Sequence, residues 1–173
     1  MTTFNLIIAD ISTVKADAIV NSANASLQKG SGICKAIYEK AGEKNLDNYL
    51  AHQENLKPGA AIVTPGFKLP AQYIIHTVTP KFFLQNLHKV QDFASCYVSI
   101  LQAANYYDCQ NIAIPCLGVG HHGWPLQEAA NIAVSTINWY LKEHESCIKS
   151  ITFVCYNDAQ VEAFKKQLAE VAA

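Results

Sequence analysis

The sequence predicts an α/β layer fold in one domain spanning residues 1–173, and three observations carry that prediction. Short apolar runs of strand length alternate with longer stretches of helical spacing. The run 17–21 (Asp-Ala-Ile-Val-Asn) has the buried look of a strand covered on both faces. Two glycine-containing loops each follow a strand and lead into a helix, and ligands in such sheets bind outside the carboxyl ends of strands.

In order, residues 4–10 form a first apolar run, and Ile11-Ser12-Thr13 leads from it into polar sequence. The strand 17–21 is followed by a polar loop, 22–32, then by a helix over 33–41 that Gly42 stops as a C-terminal cap. Leu46, Tyr49 and Leu50 give a further short helix one apolar stripe. Residues 60–64 and 73–78 read as strands, with Pro65-Gly66 and Pro70 punctuating the segment between them. From about Leu84 to Tyr107, apolar positions 87, 90, 93, 97, 101 and 104 keep a helical spacing. A strand at 112–117 runs into a loop with Gly118, Gly120 and Gly123, and Pro125 stands where a helix over 126–141 should begin. The last strand is 151–156, and Asp158 is expected to cap a closing helix through about Val171.

Half of the residues are apolar and 16% are charged, so the chain is globular and long enough to bury its own core. A formal charge of −1 argues against nucleic acid as a partner, which normally needs a basic face. No apolar run approaches the ~20 residues that span a bilayer, so no membrane partner is expected. The start, Met-Thr-Thr-Phe-Asn, lacks the basic and apolar parts of a secretory leader. The six cysteines contain no Cys-x-x-Cys pair, and three lie in or beside apolar strand-like runs. A monomer in a reducing, cytoplasmic compartment is the expectation.

Several residues at strand ends carry chemistry. Asp10 ends the first strand, where its carboxylate either accepts from an exocyclic amine such as that of adenine or caps a turn. Asn21 and Asn24 bracket the first loop; their amides suit ribose hydroxyls or close the loop on its own backbone. Gly30-Ser31-Gly32 precedes a helix, whose N–H groups and dipole favour an anion. The stretch from Gly118 through Val119, Gly120, His121 and His122 to Gly123 is the same strand–loop–helix device, suited to phosphate. Cys34 near a helix start has no adjacent His or Asp to activate it. The His121–His122–Cys116–Cys34 set matches no common ligand spacing, so neither a metal nor another cofactor is expected.

Taken together, Asp17-Ala-Ile-Val-Asn-Ser-Ala-Asn24, Leu27, Gly30-Ser-Gly-Ile33 and Ala36-Ile37 resemble the first ADP-ribose-binding loop of macrodomains. The resemblance continues through Pro65-Gly-Phe-Lys-Leu-Pro70, Ile74-Ile-His-Thr-Val78, Ile112-Ala-Ile-Pro115, Gly120-His-His-Gly-Trp-Pro125 and Glu128-Ala-Ala130. It implies a three-layer α/β/α sandwich around a mixed, mainly parallel six-stranded sheet. It also implies that Asp10 and the Ile11 backbone hold adenine, Asn24 faces the distal ribose, and Gly30, Ser31, Gly32, Ile33 and Cys34 line that side of the cleft. Gly118 to Gly123 would cradle the diphosphate, with Tyr156 against adenine and Asn157 beside it. The partners so implied are ADP-ribose and mono-ADP-ribosylated proteins.

The chain departs from the hydrolytic members of that family. Where they commonly carry Gly-Val-Asp-Gly-x-Ile-His, it has Gly32-Ile33-Cys34-Lys35-Ala36-Ile37-Tyr38, so Cys34 replaces the carboxylate that orients water. Their Ser-Thr-Gly-Ile/Val-Tyr/Phe-Gly is Gly118-Val119-Gly120-His121-His122-Gly123. Binding is therefore the primary expectation. Hydrolysis of mono-ADP-ribosyl or O-acetyl-ADP-ribose esters is a weaker extension, with Asn24 and His122 as the candidate catalytic residues. The alternatives are a reader without turnover and a domain that binds poly(A) or guanine-rich RNA. A dinucleotide oxidoreductase is discounted because no Gly-x-Gly-x-x-Gly follows the first strand.

Overall fold

The structure is a computed structural model, and it describes every residue except 83–85. Among the described residues the strands are β1 (Thr3–Ile8), β2 (Ala16–Ser22), β3 (Ala61–Pro65), β4 (Ala71–Thr77), β5 (Asn111–Pro115) and β6 (Ser150–Cys155). The helices are α1 (Gly32–Ala41), α2 (Glu43–Leu50), α3 (Leu87–Tyr106), α4 (Leu126–Glu143) and α5 (Asp158–Ala172). The strand order is β1-β6-β5-β2-β4-β3, and all neighbours are parallel except the edge pair β3–β4. This is the mixed, mainly parallel six-stranded sheet that the family resemblance implies.

The period-2 alternation of the strands divides the interior into two layers. Ala18 and Val20 of β2, Ile112 and Ile114 of β5, and Ile151 and Phe153 of β6 pack with Phe93 and Tyr97 of α3, Ile137 of α4 and Phe164 of α5. The intervening residues Ile19, Ala113 and Val154 face the other way, onto Ile37 and Tyr38 of α1 and Leu46 and Leu50 of α2. Helices thus cover both faces of the sheet, giving the three layers.

Several boundaries differ from the sequence reading, each for a local reason. Ile11–Thr13 is a single 3₁₀ turn, because Asp10 caps it and Val14 N–H closes it on the Ile11 carbonyl. Tyr49 stands half-exposed beside Phe67, so the α2 stripe is Leu46 and Leu50. The expected start of the long helix at Leu84 lies outside the described residues; Asn86 caps α3, and Leu87 is exposed. The closing helix is capped by Asn157, whose side chain accepts from Gln160 N–H, while Asp158 is its first helical residue. Asn and Asp are equally good caps, so sequence alone does not choose between neighbours.

The strand β5 stops at Pro115, and the chain turns three residues on at Gly118, whose φ is +81°. A Cβ there would lie 2.9 Å from both Phe93 and Trp124. Trp124 is itself fixed by its indole N–H to the Pro80 carbonyl at 2.7 Å and by its ring against Phe93. The glycine is required because the loop crosses directly over this aromatic wedge.

Candidate functional site

The carboxyl ends of β1, β2, β5 and β6 open onto one cleft of about 990 Å³, and its walls come from four segments. They are residues 8–11 after β1, 22–36 after β2, 115–122 after β5 and 154–160 after β6, with Thr79 after β4. The cleft brings together Asp10, Ile11, Asn24, Gly30, Ser31, Gly32, Ile33, Cys34, Gly118, Val119, Gly120, His121, His122 and Tyr156. Gly123 and Asn157 do not line it. Gly123 instead closes a turn on the Gly120 carbonyl, and Asn157 is spent as the α5 cap.

Asp10 uses one carboxylate oxygen internally: Oδ1 accepts from Ser12 N–H at 2.9 Å and from Ser12 Oγ at 2.7 Å. No donor among the described residues occupies Oδ2, which leaves one acceptor for an amine. Tyr156 is 85% exposed at the end of β6, and its backbone N–H donates to Gln160 Oε1 at 2.7 Å.

The first loop is held by its own side chains. Asn24 accepts at Oδ1 from Gln28 N–H and Ser26 Oγ, both 3.0 Å, and donates from Nδ2 to the Gln28 carbonyl at 2.7 Å. Its amide therefore shapes the loop as well as facing the cleft. Cys34 is 4% exposed. Its sulfur accepts from Gly30 N–H (3.4 Å) and Asn21 Nδ2 (3.7 Å), and its S–H donates to the Gln28 carbonyl (3.6 Å). Tyr38 donates its hydroxyl to the carbonyl of Leu27, a buried residue with φ +56°. Burial holds the Tyr38 hydroxyl well above the ordinary phenol range, so it stays a donor. The first N–H groups of α1 have no intrahelical partner, and Ser31 at its head offers them no side-chain cap.

In the second loop, no acceptor among the described residues takes the N–H groups of Val119, Gly120, His121 or His122. His121 Nε2 meets Ser31 Oγ at 3.1 Å, joining the two loops across the cleft. His122 Nδ1 meets Thr79 Oγ1 at 2.7 Å. Burial lowers the His122 pKa below the ordinary imidazole value, the Lys81 and His121 charges add to that, and its bond to Thr79 works against it. The lowered value favours the neutral ring, and Nε2 has no partner among the described residues.

The sequence reading missed Thr79, Gln160, Cys116 and Cys155 as lining residues. Thr79 had a positional signal, since it directly follows a strand. Gln160 had only its spacing of three from Asn157.

The macro domain family model matches residues 20–133. This chain belongs to the macro domain family. A macro domain-containing protein of Chlorobaculum tepidum is 38% identical over 163 residues, covering 93% of this chain and 92% of that protein. An O-acetyl-ADP-ribose deacetylase of Klebsiella pneumoniae is 35% identical, covering 95% of each. The mutant macrodomain of Oceanobacillus iheyensis solved with ADPR superposes at a TM-score of 0.90 with 30% identity, over 99% of this chain and 94% of that one. Within this macro domain, Asp10 is the single carboxylate in the cleft lining.

Proposed function

We propose that this macro domain binds ADP-ribose, free or attached to protein, in the cleft between the loops 22–34 and 117–123. The observation that carries the reading is the row of backbone N–H groups at 119–122 that no acceptor among the described residues takes, in one cavity with the Asp10 oxygen that no described donor occupies and the head of α1. Backbone donors at a loop feeding a helix suit a diphosphate, and the Asp10 oxygen suits an adenine amine. Solved macrodomains similar to this chain support it, including a Trypanosoma brucei macrodomain in complex with ADP-ribose at a TM-score of 0.87 and 29% identity. Titration of ADP-ribose into the protein in a calorimeter is expected to give saturable one-to-one binding. An absence of heat at millimolar ligand would sink the proposal.

A second reading adds hydrolysis of ADP-ribosyl esters. An ADP-ribose glycohydrolase of Xenopus laevis is 37% identical over 93% of this chain, which spans 38% of that protein. In this chain Cys34 stands where hydrolytic relatives carry a carboxylate, and its sulfur is tied into the loop on three sides. That leaves His122 Nε2 as the available base. General acid–base help is typically worth ~10²–10⁴-fold, so this arrangement favours a binder with slow or no turnover. Release of ADP-ribose from a modified protein, compared with buffer, decides between a reader and a hydrolase. Consistent with the composition, the protein is proposed to act as a monomer in a reducing, cytoplasmic setting, where its six cysteines are free thiols at rest.

A further inference from the structure

Cys116 and Cys155 sit side by side where β5 and β6 deliver their chains into the cleft, and no step of ADP-ribose binding uses them. Cys116 S–H donates to Cys155 Sγ across 3.9 Å. They lie one residue beyond Pro115 and at Cys155, directly after the last in-register pair, Pro115↔Val154. Adjacent strands run about 4.8 Å apart. A pair at that generic spacing lies inside the roughly 4.4–6.8 Å Cα range of disulfides, and the sulfurs, 3.9 Å apart, have to close to about 2.0 Å. Both residues are otherwise buried, 7% and 1% exposed, yet both line the cleft. The ligand cavity is therefore the route by which a small oxidant would reach them.

We propose that Cys116 and Cys155 form a peroxide-oxidised dithiol in the cleft floor, closing to a disulfide when the cleft is empty and shielded when ADP-ribose fills it. The shielding half rests on the ADP-ribose reading; the cross-link itself does not. Cys155 is the attacking sulfur, since the Cys116 S–H donates to it; the same bond pulls the Cys155 thiol down and pushes the Cys116 thiol up. The Cys155 sulfur bonds to one peroxide oxygen, the O–O bond breaks, and hydroxide leaves as water with the proton from the pair. Cys116 sulfur then attacks the sulfenic sulfur, the S–S bond forms, the S–O bond breaks, and a second water leaves. Two thiols are oxidised and one peroxide is reduced.

The test is non-reducing peptide mapping of the full chain after brief treatment with dilute hydrogen peroxide, with and without saturating ADP-ribose. The expected product is a linked peptide pair containing Cys116 and Cys155, lighter by two hydrogens, reversed by dithiothreitol and absent in Cys116→Ala and Cys155→Ala. Saturating ADP-ribose is expected to slow its formation roughly tenfold, because exchange chemistry is limited by access. Oxidation that falls on Cys34 or Cys147 with no 116–155 pair would overturn the proposal. So would a cross-linking rate unchanged by ADP-ribose in protein shown by calorimetry to be saturated. If calorimetry shows no binding, the functional reading fails, and appearance of the linked pair alone decides this proposal.

Discussion

Asp10 is proposed to perform two tasks with two oxygens, and the two separate by substitution. Oδ1 holds the Ser12 turn, while Oδ2, which no described donor occupies, is the oxygen proposed to meet the ligand. Asp10→Asn keeps an amide oxygen for Ser12 but presents an NH₂ group to the adenine amine, setting donor against donor. Hydrogen bonds to charged groups are worth about 1.5–3 kcal/mol, so affinity for ADP-ribose should fall roughly 10- to 100-fold with the melting temperature nearly unchanged. Asp10→Ala should lose both. Equal affinities for the wild type and Asp10→Asn would show that the carboxylate is only a cap. At this scale the sequence exposes many of the residues that reach the cleft, though not Thr79 or Gln160, and it does not show how their atoms are shared. Asn24 was legible as an amide at the cleft, yet its three internal bonds depend on where the Gln28 backbone returns, which no spacing rule encodes. Cys34 was legible as a missing carboxylate. Its role as a three-way tie beneath the loop emerges only when α1 is docked.

The elements on the α1 face are joined by a buried polar relay. His76 of β4 accepts at Nδ1 from Asn21 Nδ2 of β2 at 3.0 Å and pairs through Nε2 with Thr64 Oγ1 of β3 at 2.9 Å. Thr64 in turn donates to the Pro65 carbonyl, which makes Nε2 the protonated nitrogen and Nδ1 the acceptor. Asn21 then reaches Cys34 of α1, and its Oδ1 is buried without a partner among the described residues. Burial lowers the His76 pKa from 6.5 to about 3, so the folded state excludes a proton that the unfolded chain accepts. Stability is therefore fully present above pH 6.5. It falls with pH by up to about 1.4 kcal/mol per unit until about pH 3. Urea unfolding at pH 7, 6, 5 and 4 should show this slope in the wild type, and His76→Gln should be less stable at pH 7 but lose one proton's worth of slope. Identical slopes would refute the assignment. The strands of this relay were readable from their apolar runs, whereas the relay was not, since three polar residues 12 and 55 positions apart meet only through strand order β2-β4-β3.

For the whole molecule, the alternation of strands and helices was enough to read an α/β layer fold, and motif order added the sheet's mixed character. Neither reveals that the cleft draws on both sides of the sheet. The loop after β2 belongs to the layer of α1 and α2, while the loop after β5 rests on Phe93 and Trp124 in the layer of α3 to α5. A ligand long enough to touch both loops ties the two layers together, and a shorter one does not. ADP-ribose should therefore stabilise the protein more than AMP at the same concentration, because AMP lacks the second phosphate, proposed to meet residues 118–123, and the distal ribose, proposed to meet residues 24–34. At 100 times its dissociation constant, a ligand specific to the folded state adds about 2.7 kcal/mol, which for a domain of this size raises the melting temperature by roughly 5–10 °C. Thermal melts with ADP-ribose, ADP and AMP at matched concentrations should rank in that order. If AMP matched ADP-ribose, the adenine end alone would account for binding, and the bridging role of the two loops would be wrong.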